Sequence, residues 1–216
     1  MTTVTFIRHG ESEANLHKLN GSQTKDVDVF DSPLTERGRA QARTMQKYIQ
    51  SIEFDAIAVS PLIRACETAA LIFENKDVKF HVKRSCREIQ HNSPESQGRL
   101  KNDIINGSFG TKLNYRPALK DFPGGAEKFI NLDKLEGWSK RWNDNPNQVL
   151  ENQKNIQKLI SMILSCNKKH VCIVCHGSVI RSLTGVKVPN CGMIKTHMSS
   201  TGSQLIVKNE FIFNAL

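Results

Sequence analysis

An α/β fold is predicted for this chain: a three-layer α/β/α sandwich with a mostly parallel central sheet, an antiparallel edge, and a helical or irregular excursion. Three observations predict it. Short β-branched apolar runs recur along the chain, most of them are followed by a segment with helical spacing, and no repeat, low-complexity tract or linker divides the 216 residues. Strands that alternate with helices build a largely parallel sheet covered on both faces. Residues 1–216 are therefore expected to form one domain, with an insertion-like region at about 88–148.

The run TTVTFIR (Thr2 to Arg8) is β-rich and leads to Gly10, which marks a buried strand. In SPLTERGRAQARTMQKYIQSI a loop feeds a helix, with Thr35 as N-cap, Glu36 in the first turn, and Met45, Tyr48, Ile49 and Ile52 at helical spacing. FDAIAVS reads as a second strand and PLIRACETAALIFEN as a second helix with proline in its first turn. VKFHV (Val78 to Val82) is a third strand candidate. Between residues 88 and 148 the stretches HNSPES, NGSF, FPGG and NDNPN suggest loops around short helices, outside the main sheet. Helical periodicity returns through Ile156, Leu159, Ile160 and Ile163, followed by strand HVCIVC and helix SVIRSLTG. A terminal hairpin is expected from SQLIV and FIFNAL, turning at Lys208-Asn209-Glu210.

Charge and composition narrow the function classes. The formal net charge is +9, and no Asp or Glu occurs from Asn152 to Asn209, where eight Lys and Arg residues fall. Such a field favours anionic ligands. No aromatic-interleaved basic stretch or zinc-finger spacing accompanies it, so nucleic acid is not expected as a partner. No stretch approaches the roughly 20 apolar residues of a membrane span. The start MTTVTFIRHGES lacks the charged and apolar regions of a signal peptide. Six cysteines in that context suggest reduced thiols and a cytoplasmic protein, with no membrane partner.

One stretch, VCIVCHGSVIR, contains C-x-x-C-H, the spacing of a c-type haem attachment or a dithiol pair. Its continuous apolar character marks a buried parallel strand, on which Cys172 and Cys175 point to opposite faces. They cannot easily share a haem, a metal or a disulfide, and they read as core packing. His176 then stands at the carboxyl end of a strand, before Gly177 and a helix start. Ligands of open α/β sheets bind at such ends, where helix N–H groups offer themselves to anions. Two further junctions match: FIRHGESEAN delivers Arg8 and His9, and VSPLIRACET delivers Ser60 and Arg64. Arginine forks fit phosphate oxygens, and a histidine held among them can be the nucleophile of a phosphoryl transfer. Fixed cations take the part that magnesium plays in kinases. No P-loop, H-E-x-x-H or zinc-type Cys/His spacing is present, so neither a metal nor another cofactor is expected.

These blocks resemble the histidine phosphatase superfamily, also called the phosphoglycerate mutase-like family. The resemblance rests on RHGES (Arg8 to Ser12) with Asn15, LTERGRAQA (Leu34 to Ala42), SPLIRACETA (Ser60 to Ala69), Glu88 in REI, and CHGSVIR (Cys175 to Arg181), in the family's order. It implies a covalent phosphohistidine on His9, with Arg8, Arg64 and His176 holding the phosphoryl group. Asn15 and the backbone at Gly177 would assist, and Glu88 would protonate the leaving oxygen and then activate water. Gly21 and Ser22 stand where family members contact substrate, and the region at about 88–148, with His91, Arg99, Lys101 and Arg116, is where substrate specificity resides. Arg181 is expected to make a structural pair.

Mutases of the family carry a basic, tyrosine-containing segment after the acid. EIQHNSPESQGRLKNDI does not resemble it. The resemblance therefore implies a phosphoric monoester hydrolase of the histidine acid phosphatase type, acting on a phosphorylated small molecule. Mutase-type transfer and a non-catalytic phosphate-binding role remain the alternatives, and a homodimer is left open.

Overall fold

The computed structural model describes residues 1–19, 30–89, 98–99, 101–107, 118–132, 148–202 and 204–213. Along the chain the elements are β1 (Thr2–Arg8), α1 (Glu13–Leu19), α2 (Glu36–Ile49), β2 (Ala56–Val59), α3 (Ile63–Ile72) and β3 (Phe80–Val82). They continue with α4 (Lys101–Asn106), β4 (Phe129–Ile130), α5 (Gln148–Ser165), β5 (His170–Cys175), α6 (Gly177–Thr184), β6 (Met193–Thr201) and β7 (Gln204–Phe213). The described strands form one sheet in the order β4-β3-β2-β5-β1-β6-β7. Neighbours from β4 to β1 run parallel; β6 and β7 are antiparallel to the strands beside them.

Side-chain alternation divides the core into two layers. On β5, Cys172 and Val174 join Ala42, Met45 and Ile49 of α2 and the buried face of α3. Val171, Ile173 and Cys175 join Leu159 and Ile163 of α5 and Val179, Ile180 and Leu183 of α6. The expected three layers follow, and Cys172 and Cys175 lie in opposite ones. All six cysteines are unpaired.

Helix α2 begins as its sequence dictates: the Thr35 side chain accepts the Gly38 N–H at 3.0 Å, a cap that contributes about 1 kcal/mol. Its Gly38 has a second task. A Cβ there would fall 2.0 Å from the Glu11 carbonyl oxygen, and one on Gly10 would fall 2.6 Å from the Gly38 oxygen. The loop leaving β1 thus presses backbone to backbone against α2.

Four local expectations need correction. Pro61 precedes α3 rather than occupying its first turn, because Leu62 is the N-cap. Tyr48 is 48% exposed instead of buried, with its ring against Phe213 at 4.1 Å. The hairpin joins β6 to β7 and turns after Thr201, while Lys208, Asn209 and Glu210 lie inside β7. The polar run MIKTHMSST hid β6, although Met193, Ile194, Thr196 and Met198 are buried and the residues between them are not. Finally, the excursion is not wholly outside the sheet. Its Phe129–Ile130 form β4 on the parallel edge, and Ile104, Leu119 and Phe122 complete the α2–α3 layer.

Candidate active site

Strands β3, β2, β5 and β1 are spatial neighbours in that order, and each delivers chemistry from its carboxyl end. Residues beyond β3 carry Glu88, β2 leads to Ser60 and Arg64, β5 to His176, and β1 to Arg8 and His9. Parallel pairing aligns these ends: Arg8 stands beside Cys175, and the Ser60 N–H donates to the Val174 carbonyl at 3.0 Å. Arg8, His9, Arg64 and Glu88 line a cavity of about 240 Å³ together with Asn15 and Gly177.

His9 is 2% exposed, and its Nδ1 lies 2.7 Å from the Gly10 carbonyl oxygen. A carbonyl can only accept, so Nδ1 carries the proton and Nε2 presents a lone pair. Arg64 Nε donates to that Nε2 at 3.3 Å. Burial, then the charges of Arg64 and Arg8, hold the His9 pKa well below its ordinary value. The imidazole is neutral at physiological pH, as a nitrogen nucleophile must be.

The His176 ring centroid lies 5.1 Å from that of His9. His176 is fully buried, and its Nε2 lies 2.7 Å from Ser60 Oγ. Ser60 Oγ already accepts the Leu62 N–H at 3.3 Å. Its hydroxyl proton is then best directed to His176 Nε2, which leaves Nδ1 as the protonated, donating atom. Nδ1 is buried with no hydrogen-bond partner, a cost of about 1–3 kcal/mol that a ligand acceptor would relieve. Burial, then Arg64, His9 and Arg8, push the His176 pKa well down. Its contact with Glu88 Oε2 at 3.8 Å is therefore not an ion pair.

Glu88 is 7% exposed, and its Oε1 accepts the Ile89 N–H at 3.1 Å. Asn15 turns its oxygen inward, accepting from Ser12 N at 3.2 Å and from Asn190 Nδ2 at 3.0 Å, which leaves its amide N–H groups for the cavity. Gly177 opens α6, and a Cβ there would sit 3.2 Å from Arg8 Nε. Glycine keeps the helix N–H groups and the Arg8 guanidinium on one face. Gly21 and Ser22, with Asn20, lie outside the described residues, as do His91 and Arg116.

The spacing of histidines and acids gave no metal pattern, yet His9, Glu88 and His176 each offer a ligand atom within 4.8 Å of the others. Two histidines and a glutamate suit zinc by donor type. The guanidiniums of Arg8 and Arg64 line the same cavity, and they oppose a dication while favouring a tetrahedral oxyanion.

Several supporting residues escaped the sequence reading. Asn190 Nδ2 also donates to the His9 and Gly10 carbonyls at 3.1 and 3.2 Å, fixing the nucleophile's loop. Thr68 accepts the Gly10 N–H at 3.0 Å and donates to the Arg64 carbonyl at 2.7 Å. Asp31 is fully buried, accepting the Ile63 N–H at 2.8 Å through Oδ1 and Arg99 Nε at 2.8 Å through Oδ2. It caps α3, whose Leu62 N-cap makes no side-chain bond, one residue before Arg64. Arg99, which lies in the expected specificity region and was expected to be solvated, is instead buried in this pair. Nothing local in the sequence connects Asp31 to α3 or to Arg99. Arg181, expected to pair structurally, lies exposed at the cavity rim.

Residues 4–134 match the family model of the histidine phosphatase superfamily (branch 1). The adenosylcobalamin/alpha-ribazole phosphatase of Salmonella typhimurium is 38% identical over 77 residues, 36% of this chain and 35% of that protein. Fructose-2,6-bisphosphatase TIGAR of Xenopus tropicalis is 34% identical over 98 residues, 44% of this chain and 34% of that protein. The matched stretch thus spans about a third of the length of these curated relatives. Phosphoserine phosphatase from Entamoeba histolytica, solved with 3-phosphoglyceric acid, superposes with a TM-score of 0.58 at 23% identity, covering 100% of this chain and 98% of that one. At that identity the likeness is one of fold.

Proposed function

This chain belongs to the histidine phosphatase superfamily, branch 1, and from that premise we propose that it hydrolyses phosphomonoesters of small molecules through a covalent phosphohistidine on His9. The observation that carries the reading is the state of His9: a neutral ring with its Nδ1 proton given to Gly10 and its Nε2 facing the Arg64 guanidinium. Named curated relatives are phosphatases of phosphorylated small molecules, which supports the same class.

The phosphoryl group sits between Arg8, Arg64, the Nδ1–H of His176, the Asn15 amide and the first N–H groups of α6. These donors neutralise its oxygens and hold the charge that develops in transfer. His9 Nε2 attacks phosphorus as the ester P–O bond breaks, and Glu88, in its protonated form, gives a proton to the departing oxygen. Glu88 then takes a proton from water, whose oxygen attacks phosphorus, and the P–N bond breaks to release phosphate and the free imidazole. Every step balances without a metal or another cofactor. The single-domain reading, 1–216 with a substrate-selecting region at about 88–148, belongs to the same proposal.

His9→Ala is expected to lower kcat on p-nitrophenyl phosphate by more than about 1,000-fold, as removal of a covalent nucleophile does. Acid-labile, base-stable label from a radioactive phosphate ester should appear on the wild type and not on the variant. Near wild-type turnover by the variant overturns the reading, and a non-catalytic binder would take up no label at all. Turnover should also persist in EDTA; its loss there, with rescue by zinc, would transfer the chemistry to the His9–Glu88–His176 cluster.

A further inference from the structure

The cavity carries more positive charge than one phosphoryl group uses. A phosphoryl dianion is balanced by Arg8 and Arg64, yet Lys18, Arg181 and Lys187 line the same space. Among the described residues neither Arg181 nor Lys187 has a carboxylate within ion-pairing distance, and no Asp or Glu occurs between Asn152 and Asn209 to supply one nearby. Glu88 is the one carboxylate among the described residues that line the cavity.

The position of the extra cations is specific. Arg181 lies four residues after Gly177 on α6, so it stands on the same face about 6 Å further along the axis. Lys187 precedes Val188, whose carbonyl accepts Arg8 Nη1 at 3.0 Å. Both therefore extend from elements that already hold the phosphoryl subsite. Ser178, next to Gly177 on α6, also lines the cavity, and its Oγ is buried with no hydrogen-bond partner. A merely solvated basic face would leave its charges spread over convex surface. Here they converge on a concavity with an unused donor at its wall. At about 240 Å³ the space is below the roughly 300–1,000 Å³ of sites for drug-sized ligands, which suits a compact ester.

We propose that Arg181, Lys187 and Ser178 form a second anion subsite, and that the substrate is a compact phosphomonoester whose leaving group carries its own carboxylate or phosphate. The proposal rests on the phosphatase reading above and adds a substrate class to it. Because the rim cations are exposed, their contribution is screened by salt far more than that of the buried phosphoryl site.

Three esters of equal length test it on the full chain: 3-hydroxypropyl phosphate, 3-(phosphonooxy)propanoate and propane-1,3-diyl bisphosphate. The wild type should show kcat/KM at least about tenfold higher for one or both charged esters than for the neutral one, as charge-assisted hydrogen bonds allow. The charged ester that is preferred identifies the group read. In an Arg181→Gln/Lys187→Gln double variant the charged-to-neutral ratio should collapse toward one, and raising salt from about 0.05 to about 0.5 M should erode it in the wild type. Both side chains are exposed, so the variant is expected to fold, and its thermal midpoint checks this. A wild-type ratio near one, or a ratio that survives the double substitution, overturns the second subsite and leaves the phosphatase reading standing. Failure of the wild type to hydrolyse all three esters and p-nitrophenyl phosphate overturns both.

Discussion

The floor and the rim of the cavity hold their charges in opposite ways. On the floor, His9 and Arg64 are 2% exposed and His176 is 0% exposed, and three side chains of the phosphoryl subsite are held by neighbours: His9 by Gly10, His176 by Ser60, Asn15 by Asn190. At the rim, Lys18, Arg181 and Lys187 are exposed on long side chains. A buried, tethered site strengthens every electrostatic contact and loses little entropy on binding. An exposed one adapts to different partners and yields to salt. On the proposed reading the chemical step belongs to the floor and the choice of substrate to the rim, so each should break without the other.

The largest effect is expected at the scaffold beneath the floor. Asp31→Asn keeps an acceptor for Ile63 N but leaves the Arg99 charge buried without its carboxylate, both side chains being fully buried. Breaking such a pair costs about 3–5 kcal/mol, read as a lowered midpoint in chemical denaturation. The charged-to-neutral ester preference of the folded fraction should stay at the wild-type value, since Asp31 serves the floor. A stability within about 0.5 kcal/mol of wild type would remove Asp31–Arg99 from the scaffold.

Glu88→Gln comes next. Losing a proton donor slows esters with poor leaving groups by about 100-fold, while p-nitrophenyl phosphate, whose leaving group needs no proton, should be much less affected. Equal losses on both would take Glu88 out of the donor role and make it part of the wall.

The smallest effect concerns pH. His9 and His176 have folded-state pKa values held well below the ordinary value of about 6.5 by burial, then by arginine charge. Below about pH 6.5 the unfolded chain takes up protons that the folded site refuses, so stability falls as pH falls, by about 1.4 kcal/mol per pH unit for each histidine kept neutral. The matching kinetic expectation is that kcat/KM does not lose half its value at pH 6.5, as it would for an unperturbed imidazole nucleophile. A profile that halves there would mean the floor is wetter than its geometry implies.

How much of this was legible in the sequence depends on the range of the interaction. The strand-to-helix junctions at Arg8-His9, Ser60 and His176-Gly177 were readable because apolar runs, glycines and a change of period sit next to one another in the chain. The buried run HVCIVC was readable for the same reason, and it correctly separated Cys172 from Cys175. Strand β6 was missed because Lys195, His197 and Ser199 alternate with buried residues, and only pairing with β1 makes that alternation meaningful. Asp31 with Arg99, and Asn190 with Asn15, are separated by 68 and 175 residues. No local pattern encodes such meetings. The excursion contributes β4 by two residues alone, too few for any periodicity to reveal.

The buried cysteines carry a consequence for how this protein meets chemical stress. Five of the six thiols are buried, and loss of hydration pushes Cys86 and Cys191 up to about 12, Cys66 and Cys172 further, and Cys175 well above its ordinary value. Thiolate is the form that peroxide and alkylating agents attack, and these five buried thiols hold almost none of it. An enzyme whose attacking atom is nitrogen, and five of whose six sulfurs are buried, would keep dephosphorylating under oxidants that silence phosphatases built around a cysteine.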